Sequence, residues 1–337
     1  MLEILNPTPP APPCRVAAPE RGSIRVGLVQ HRWQPDARAL RAELDEGIGR
    51  AADRGAAVVF LPELTLSRYP ADVRPQGVPA DLAEDLESGP TFAFAAEAAR
   101  RHGTSVHASL YQRADAGDGL GLNTAILVGP DGSLQATTHK LHIPVTAGYH
   151  EDLYFRPGPA SDPYPVHSPA PLGGLRLGLP TCWDEWFPEV ARSYSLSGAD
   201  LLAYPTAIGS EPDHPGFDTQ PLWQQVIVGH AIANGLFMVA PNRHGDEGTL
   251  SFYGSSFICD PYGRILAQAP RDASAVLVAD LDLDLRRDWS TLFPFLRTRR
   301  PDTYASLTAP VPDTPLGDVA GPVPGTSAPL APAAQGS

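Results

Sequence analysis

The sequence predicts an α/β fold in which mixed β-sheets are covered by helices in one layered domain. Along the earlier part of the 337-residue chain, short runs with strand periodicity alternate with segments of helical periodicity, as is typical of layered α/β proteins. Strand-like runs dominate the later part, which favours sheets of mixed direction. A chain of this length can bury a large core.

The individual elements follow from the period of the apolar side chains. Residues 23–30 alternate as a strand does, and residues 37–54 place leucine, isoleucine and alanine at helical spacing. The continuous apolar run 57–61 predicts a buried strand. By the same criteria we predict helices over residues 91–101 and 222–234, and strands over residues 105–112, 123–128, 134–139, 201–204, 237–241, 255–259, 264–268 and 275–280.

One apolar strand, residues 174–179, leads to a cysteine at a sharp turn. Leucines alternate along this strand, and the pattern breaks at Pro180, just before Cys182. A helix is predicted to begin at Pro188, because proline lacks the N–H that would stay unpaired at a first helical position. Cys182 is therefore predicted to lie near the carboxyl end of a strand, where open α/β sheets bind their ligands.

Two further reactive side chains directly follow predicted strands. Glu63 follows the strand 57–61, and Lys140 lies between the strand 134–139 and an aperiodic loop, residues 141–158. Lys140 is the only lysine among 25 basic residues. This indicates a role that arginine cannot fill, such as a compact charge in a tight pocket.

A carboxylate, an ammonium and a thiol can together carry out nucleophilic catalysis on a carbonyl group. The carboxylate takes the thiol proton, the sulfur attacks, and the ammonium stabilises the oxyanion. Each residue also has a plain alternative: Cys182 as an inert buried side chain, Glu63 as a cap or surface group, and Lys140 as a solvated lysine. The chemistry of the single residues leaves these alternatives open.

Composition argues against several classes of partner and site. The net charge of −13 disfavours nucleic acid and anionic membranes, which both need a basic surface. No segment has the character of a signal peptide or membrane span, and the three cysteines lack disulfide or zinc spacing, so we expect a soluble cytoplasmic protein. His142 and His230 share no ligand spacing, and no metal is expected.

The three reactive residues and their surroundings resemble the nitrilase superfamily of carbon-nitrogen hydrolases, whose members carry a Glu, Lys, Cys triad in this chain order. The likeness is carried by residues 60–64 (Phe-Leu-Pro-Glu-Leu), 139–144 (His-Lys-Leu-His-Ile-Pro) and 179–189 (Leu-Pro-Thr-Cys-Trp-Asp-Glu-Trp-Phe-Pro-Glu), and it covers about residues 24–305. It implies a four-layer αββα sandwich of two mixed β-sheets flanked by helices, no cofactor, and a homodimer or higher homo-oligomer.

The resemblance also implies how the site works. Glu63 is expected to act as the base and Cys182 as the nucleophile that attacks a ureido or amide carbon. Lys140 and the backbone N–H of Trp183 are expected to donate to the oxyanion. Glu151 is expected as a second carboxylate that orients the lysine or a water molecule; its alternative is a solvated loop acid.

Within the superfamily, the likeness extends to the N-carbamoylputrescine amidohydrolases. The matching stretches are residues 148–155, 182–192 and 205–212. Tyr149, Pro205 and Thr206 in these stretches are the implied substrate contacts. The implied substrate is a small molecule, N-carbamoylputrescine or a related carbamoylated amine.

Asp184 and Glu185 follow the nucleophile and agree with such a substrate. An acidic pocket suits the free ammonium of a carbamoylated diamine, whereas superfamily members that take N-carbamoyl amino acids often have an arginine soon after the nucleophile. The alternative is that both acids are solvated or cap the following helix, where carboxylates are favoured.

Residues 145–147 and 64–69 depart from the family pattern and leave the identity of the amine open. The alternatives are another amidase of the superfamily, acting on an ω-amide, a ureido acid or an aliphatic amide, or a non-catalytic assembly module. Outside a hydrolase domain of residues 23–308, the Pro- and Ala-rich segments 1–22 and 309–337 are expected to be flexible or wrapped on a partner.

Overall fold

The computed structural model describes residues 1–6 and 8–309 and contains two compact units. Residues 1–296 form the first unit, and the second begins at Arg297. In the described part of the second unit, short 3₁₀ helices cover Pro301–Thr303 and Ala305–Thr308.

A flexible tail is predicted for residues 309–337, of which residues 310–337 lie outside the described residues. Among the described residues, every helix is too short or too polar to cross a lipid bilayer.

The first unit contains five α-helices and sixteen β-strands in its described residues. The helices are α1 (Ala37–Asp53), α2 (Pro90–His102), α3 (Pro188–Leu196), α4 (Gln220–Asn234) and α5 (Leu285–Leu292). The strands are β1 (Leu2–Asn6), β2 (Ser23–Gln30), β3 (Val58–Phe60), β4 (Ser105–Gln112), β5 (Leu122–Val128), β6 (Leu134–His139), β7 (Val145–Thr146), β8 (Tyr149–His150), β9 (Leu177–Gly178), β10 (Leu201–Ala203), β11 (Phe237–Ala240), β12 (His244–Asp246), β13 (Ser251–Tyr253), β14 (Phe257–Cys259), β15 (Ile265–Gln268) and β16 (Ala275–Asp282). Every helix and strand predicted from periodicity is present, with ends shifted by a few residues.

Two mixed sheets contain most of the strands. The seven-stranded sheet has the order β1-β16-β2-β3-β4-β5-β6; β2, β3 and β4 are parallel, and the β16-β2, β4-β5 and β5-β6 pairs are antiparallel. The five-stranded sheet has the order β15-β14-β11-β10-β9, with β9, β10 and β11 parallel and the pairs that involve β14 antiparallel. The prediction of mixed sheets is confirmed.

The two sheets pack face to face, and helices cover the outer face of each. Val26 and Leu28 of β2 join an apolar cluster between the sheets, whereas Val29 packs with residues of α1 and α2. Leu201 of β10 belongs to the same inter-sheet cluster, and Leu202 packs with residues of α3 and α4. Because consecutive strand residues point to opposite faces, each sheet has two buried faces, and the result is a four-layer αββα sandwich.

The N-terminal segment differs from the flexible segment predicted for residues 1–22. Leu2–Asn6 pairs in parallel with β16 and forms the edge of the seven-stranded sheet. Arg15 forms ion pairs with Asp282 and Asp288. Composition did not indicate this arrangement, because an edge strand is held by backbone hydrogen bonds to a partner far away in the sequence.

Three short or late elements were not predicted from the sequence. β12 and β13 have three residues each and pair as an antiparallel hairpin, which is too short for an alternating pattern to be recognised. The helix α5 near the end of the first unit was also not predicted. Arg243 and Glu247, which flank β12, contact the loop that carries Glu63.

Candidate active site

Glu63, Lys140 and Cys182 come together from both sheets of the sandwich. Glu63 follows β3 and Lys140 follows β6 in the seven-stranded sheet, whereas Cys182 follows β9 in the five-stranded sheet. The side chains of Glu63 and Lys140 are hydrogen-bonded at 2.9 Å. Cys182 is close enough to both for their charges to shift its pKa.

Lys140 is enclosed between two carboxylates. Its Nζ donates to Glu63 Oε1 at 2.9 Å and to Glu151 Oε2 at 2.7 Å, and its side chain has no solvent exposure. Burial lowers the pKa of Lys140, but Glu151 and Glu63 outweigh burial and hold that pKa well above its usual value. The alternative of a solvated surface lysine is therefore wrong.

Glu63 has one carboxylate oxygen in use and one free. Its Oε1 accepts hydrogen bonds from Lys140 and from Asn123 Nδ2, the latter at 2.7 Å. Its Oε2 is buried and has no hydrogen-bond partner among the described residues. A free lone pair on a buried carboxylate can accept a proton from a neighbouring group, which is the chemistry a general base requires.

Cys182 begins a five-residue 3₁₀ helix, Cys182–Trp186, in a strained backbone conformation. Its φ of 44° lies in the left-handed region that few non-glycine residues adopt. The backbone N–H of Cys182 donates to Pro205 O at 3.0 Å and helps to fix this conformation. Strain of this kind persists where the surrounding structure enforces it, often at functional sites.

The Cys182 sulfur is held as a thiol in the resting site. Burial, followed by the negative charge of Glu63, raises the pKa of Cys182 well above its ordinary value, although Lys140 opposes this shift. A thiol with a raised pKa needs a base that takes its proton during attack. Trp183 follows in the first turn of the 3₁₀ helix, where backbone N–H groups have no partner within the helix.

Glu151 completes a chain of buried polar groups. It begins a short 3₁₀ helix, Glu151–Leu153, and its Oε1 accepts a hydrogen bond from Tyr69 Oη at 2.8 Å. Burial, opposed by Lys140 and reinforced by Glu63, raises the pKa of Glu151 to about 7. Because Glu151 is 1% exposed, the alternative of a solvated loop acid is wrong.

A cavity of about 310 Å³ opens onto Cys182 and Glu151. Most of its wall is aromatic or aliphatic and includes the side chains of Trp183 and Trp186. The remaining polar wall residues are Thr146, Tyr149, Glu211, His214 and Thr219. Among the described residues that line the cavity, none is a lysine or an arginine.

Tyr149, which the resemblance implies as a substrate contact, is one of the residues that line this cavity. Its hydroxyl accepts a hydrogen bond from the N–H of Gly209 at 3.0 Å and donates to Ser210 O at 3.3 Å. These bonds fix the ring against the segment that leads to Glu211.

Asp184 does not reach the cavity wall. Its carboxylate accepts hydrogen bonds from the backbone N–H groups of Thr181 and His142, at 3.1 and 2.9 Å, and contacts His142 Nδ1 at 2.7 Å. Together with Thr181 it forms a capping box on the 3₁₀ helix. The expectation that Asp184 binds substrate is corrected, and the helix-cap alternative describes this residue.

Glu185 is also turned away from the cavity. It is fully buried, and Thr206 Oγ1 contacts its Oε2 at 3.4 Å. Burial raises the pKa of Glu185 well above its ordinary value, which favours the neutral acid. Because Glu185 is not among the residues that line the cavity, the expectation that it binds the substrate is corrected as well.

Pro205 contacts the backbone of Cys182, and Thr206 contacts Glu185 and Tyr204. Pro205 accepts the hydrogen bond from the N–H of Cys182. The hydroxyl of Thr206 donates to Tyr204 O at 2.8 Å. Both residues were expected at the substrate, but they are not among the residues that line the cavity.

Four residues near the chemistry were not predicted: Tyr69, Asn123, Glu211 and His214. Asn123 and Tyr69 hold the two carboxylates, and Glu211 and His214 line the cavity. Glu211 lies in the stretch 205–212 that the family likeness singled out, so that likeness was the available signal. Tyr69 lies in a stretch that departs from the family pattern, and the sequence offered no signal for it.

The described residues contain no group of three or more side chains placed to hold a metal ion. The side chains of the site supply a thiol on the cavity wall and, beside it, a free carboxylate oxygen and a buried ammonium. That set can support attack of sulfur on a carbonyl carbon and stabilisation of the resulting oxyanion.

Known proteins are similar in sequence to this chain over most of its length. A family model described as carbon-nitrogen hydrolase matches residues 25–291. The chain is 35% identical over 290 residues to a citrullinase of Francisella tularensis subsp. tularensis, over 85% of this chain and 98% of the relative. It is 33% identical over 295 residues to an N-carbamoylputrescine amidase of Arabidopsis thaliana, over 85% of this chain and 96% of the relative.

The fold is shared as well. The crystal structure of a carbon-nitrogen hydrolase from Helicobacter pylori G27 is similar with a TM-score of 0.76 and 32% identity, over 85% of this chain and 99% of that one. The predicted fold and family are confirmed, and the non-catalytic alternative loses its support. The chain belongs to the carbon-nitrogen hydrolases of the nitrilase superfamily and is an enzyme that acts on amide bonds.

Proposed function

We propose that the enzyme hydrolyses the ureido group of N-carbamoylputrescine or a related carbamoylated amine. The observation that carries this proposal is the cavity that joins Cys182 to Glu211. An acid on the wall of a mostly apolar cavity suits a substrate with an aliphatic chain that ends in an ammonium.

The proposed first step forms a covalent intermediate. Cys182 Sγ attacks the ureido carbon while its proton passes to the free Oε2 of Glu63. The oxyanion is stabilised by Lys140 Nζ and the backbone N–H of Trp183. The C–N bond to the terminal nitrogen then breaks, Glu63 returns the proton, and ammonia leaves an alkylcarbamoyl thioester on Cys182. A buried ammonium is a strong donor for such an oxyanion, because water does not screen it.

The proposed second step releases the amine. A water molecule gives a proton to Glu63 and attacks the thioester carbon, the C–S bond breaks, and the Cys182 thiol is restored. The product is a carbamic acid, which decomposes to the amine and CO₂. We assign Glu151 the task of holding Lys140 between two carboxylates through both steps, in agreement with its 2.7 Å contact.

The charge of the cavity supports an amine over a carbamoylated acid. A substrate carboxylate is usually held by arginine or lysine, and neither lines the cavity in the described residues. Burial raises the pKa of Glu211, although Thr219 opposes this by a hydrogen bond; a bound ammonium would favour the ionised carboxylate. The N-carbamoylputrescine amidase among the relatives agrees with this preference.

Citrulline is a second candidate, because one observation favours it. His214 lines the cavity next to Glu211, and its backbone N–H donates to Glu211 O at 3.0 Å. The imidazole of His214 would donate a hydrogen bond to the carboxylate of a ureido amino acid while Glu211 receives its ammonium. A citrullinase is among the similar proteins.

Ammonia release over a panel of substrates tests the proposal. The panel contains N-carbamoylputrescine, citrulline, N-carbamoyl-β-alanine, glutamine and propionamide, each measured as kcat/KM. We expect the highest value for N-carbamoylputrescine and the lowest for N-carbamoyl-β-alanine, which has a carboxylate and no ammonium. A higher value for citrulline would transfer the proposal to the second candidate, and a higher value for propionamide would contradict a role for Glu211 in specificity.

The family resemblance also predicts a cellular setting for the enzyme. A homodimer or higher homo-oligomer in the cytoplasm, serving polyamine biosynthesis, stays a prediction from the family resemblance. The three cysteines are free in the structure, which agrees with a reducing compartment. Sedimentation velocity of the purified enzyme would measure the oligomer size.

A further inference from the structure

A buried arginine outside the cavity holds the turn that carries Glu63. Arg243 is fully buried, and its Nη2 donates to the backbone carbonyls of Glu63 at 2.6 Å and Leu64 at 3.0 Å. Its Nη1 donates to Ser67 O at 3.2 Å. Leu64 has a φ of 48°, a backbone conformation that non-glycine residues rarely adopt. The guanidinium is therefore hydrogen-bonded to a turn with a strained backbone.

The acid that pairs with this arginine leads to the second carboxylate. Glu247 Oε1 accepts from Arg243 Nη1 at 2.8 Å, and Glu247 Oε2 accepts from the backbone N–H of Tyr69 at 2.9 Å. Tyr69 in turn donates its hydroxyl to Glu151 at 2.8 Å. One ion pair is therefore linked to both carboxylates that contact Lys140.

The ion pair is held by the hairpin of β12 and β13. Arg243 directly precedes β12, Glu247 directly follows it, and the N–H of Glu247 donates to Leu250 O at 3.0 Å across the hairpin turn. Neither residue lines the cavity. Both side chains are buried, and breaking a buried ion pair leaves an uncompensated charge, so the two residues favour one geometry of the loop from Glu63 to Tyr69.

We infer that Arg243 and Glu247 form a positioning clamp that sets Glu63 and Glu151 at their distances from Lys140. The clamp acts through other residues and contacts no substrate. The inference rests on the proposed roles of Glu63 and Glu151, but it does not depend on which amide the enzyme hydrolyses. Misplacement of reacting groups by about 1 Å costs about a hundredfold in rate, so a loosened clamp reduces turnover more than binding.

The test compares conservative variants of the clamp with matched variants elsewhere. Glu247→Gln keeps the size of the side chain but removes its charge, and Arg243→Lys keeps the charge but removes the planar donor group. Asp260→Asn and Arg264→Lys make the same changes in a second ion pair between residues four apart, which has a 2.6 Å contact at the turn between β14 and β15. Rates are measured on the amide that the wild-type enzyme hydrolyses fastest, per active site counted by alkylation of Cys182.

We expect the clamp variants to lose about tenfold to a hundredfold in kcat with KM changed less than about threefold. The pH dependence of kcat should also shift in both, because Glu151 loses its fixed neighbour. The matched variants should lose thermal stability without either change. Wild-type kcat in Glu247→Gln, or equal losses of kcat in the clamp and matched variants, would overturn the inference. A wrong substrate assignment would change the amide used and leave this comparison intact.

Discussion

The Nζ atom of Lys140 lies 2.7 Å from Glu151 Oε2, and 2.9 Å from Glu63 Oε1 on its other side. The only lysine of the chain is thus a cation shared by Glu63 and Glu151, which are both buried. An ammonium fits this space as a compact charge with three donors, whereas a guanidinium is planar and larger. All other Lys or Arg positions of the chain are arginine. The limited space between the two carboxylates accounts for the lysine at position 140.

We predict that Lys140→Arg lowers kcat by about a hundredfold or more, because the larger planar group displaces both carboxylates and removes the oxyanion donor from its position. Steady-state ammonia release measures the effect. Arg113→Lys, a change at an exposed ion pair with Asp85, is the control and should keep wild-type kcat. Normal turnover in Lys140→Arg would show that any cation serves at this position.

We predict that Cys182→Ala abolishes hydrolysis, because Cys182 is the only thiol among the described residues that line the cavity. Cys14→Ala is the control, since Cys14 lies outside the cavity. Mass spectrometry after iodoacetamide treatment gives a second measurement. We expect Cys182 to be labelled before Cys259, which is fully buried in the core, and before Cys14, which has no base beside it; equal slow labelling of all three contradicts an activated thiol.

We predict an acidic limb in the pH profile that belongs to Glu151. Its pKa is raised to about 7, chiefly by burial. The ionised carboxylate is the form that holds Lys140, so kcat should rise as pH increases through about 7 and then level off. In Glu151→Gln this limb should disappear and the remaining rate should be low. An unchanged limb in the variant would assign it to another group.

The same residue should affect stability in a pH-dependent way. Between the ordinary carboxyl pKa and about 7, the unfolded chain has lost the proton that folded Glu151 keeps. The stabilisation that the raised pKa of Glu151 gives to the folded state is therefore present below this pH window and is lost as pH rises through it. Relative to wild type, Glu151→Gln should gain melting temperature between about pH 5 and about pH 8. The exposed Glu189→Gln serves as control and should show no such trend.

We predict that Glu211→Gln weakens the binding of substrates that carry an ammonium and leaves uncharged substrates unaffected. A hydrogen bond to a charged group contributes about 1.5 kcal/mol or more, so KM for N-carbamoylputrescine should rise about tenfold. N-Butylurea has the same ureido group and chain length but no ammonium, and its kcat/KM should stay unchanged. Equal losses for both substrates would mean that Glu211 shapes the cavity and does not recognise charge.

Local patterns were sufficient to predict the framework of the fold and the three central residues. The alternation in residues 23–30 and the helical spacing in residues 37–54 reflect which side chains face a core. These patterns depend only on residues that are close together in the sequence. Glu63, Lys140 and Cys182 could be found because each directly follows or lies just beyond a predictable strand. The N-terminal strand β1 escaped this reasoning, because its stability comes from pairing with β16 at the far end of the unit.

The sequence by itself determined the layered fold and the family and indicated three candidate catalytic residues, but only the tertiary structure decided which acids face the cavity. Asp184 is next but one to Cys182 in the chain, yet its carboxylate is used by the backbone N–H groups of Thr181 and His142. Glu211 is remote in sequence and reaches the same cavity as the thiol. Chain proximity limits how far apart two residues can be, whereas the direction of a side chain is set by the hydrogen bonds and packing that neighbouring elements provide.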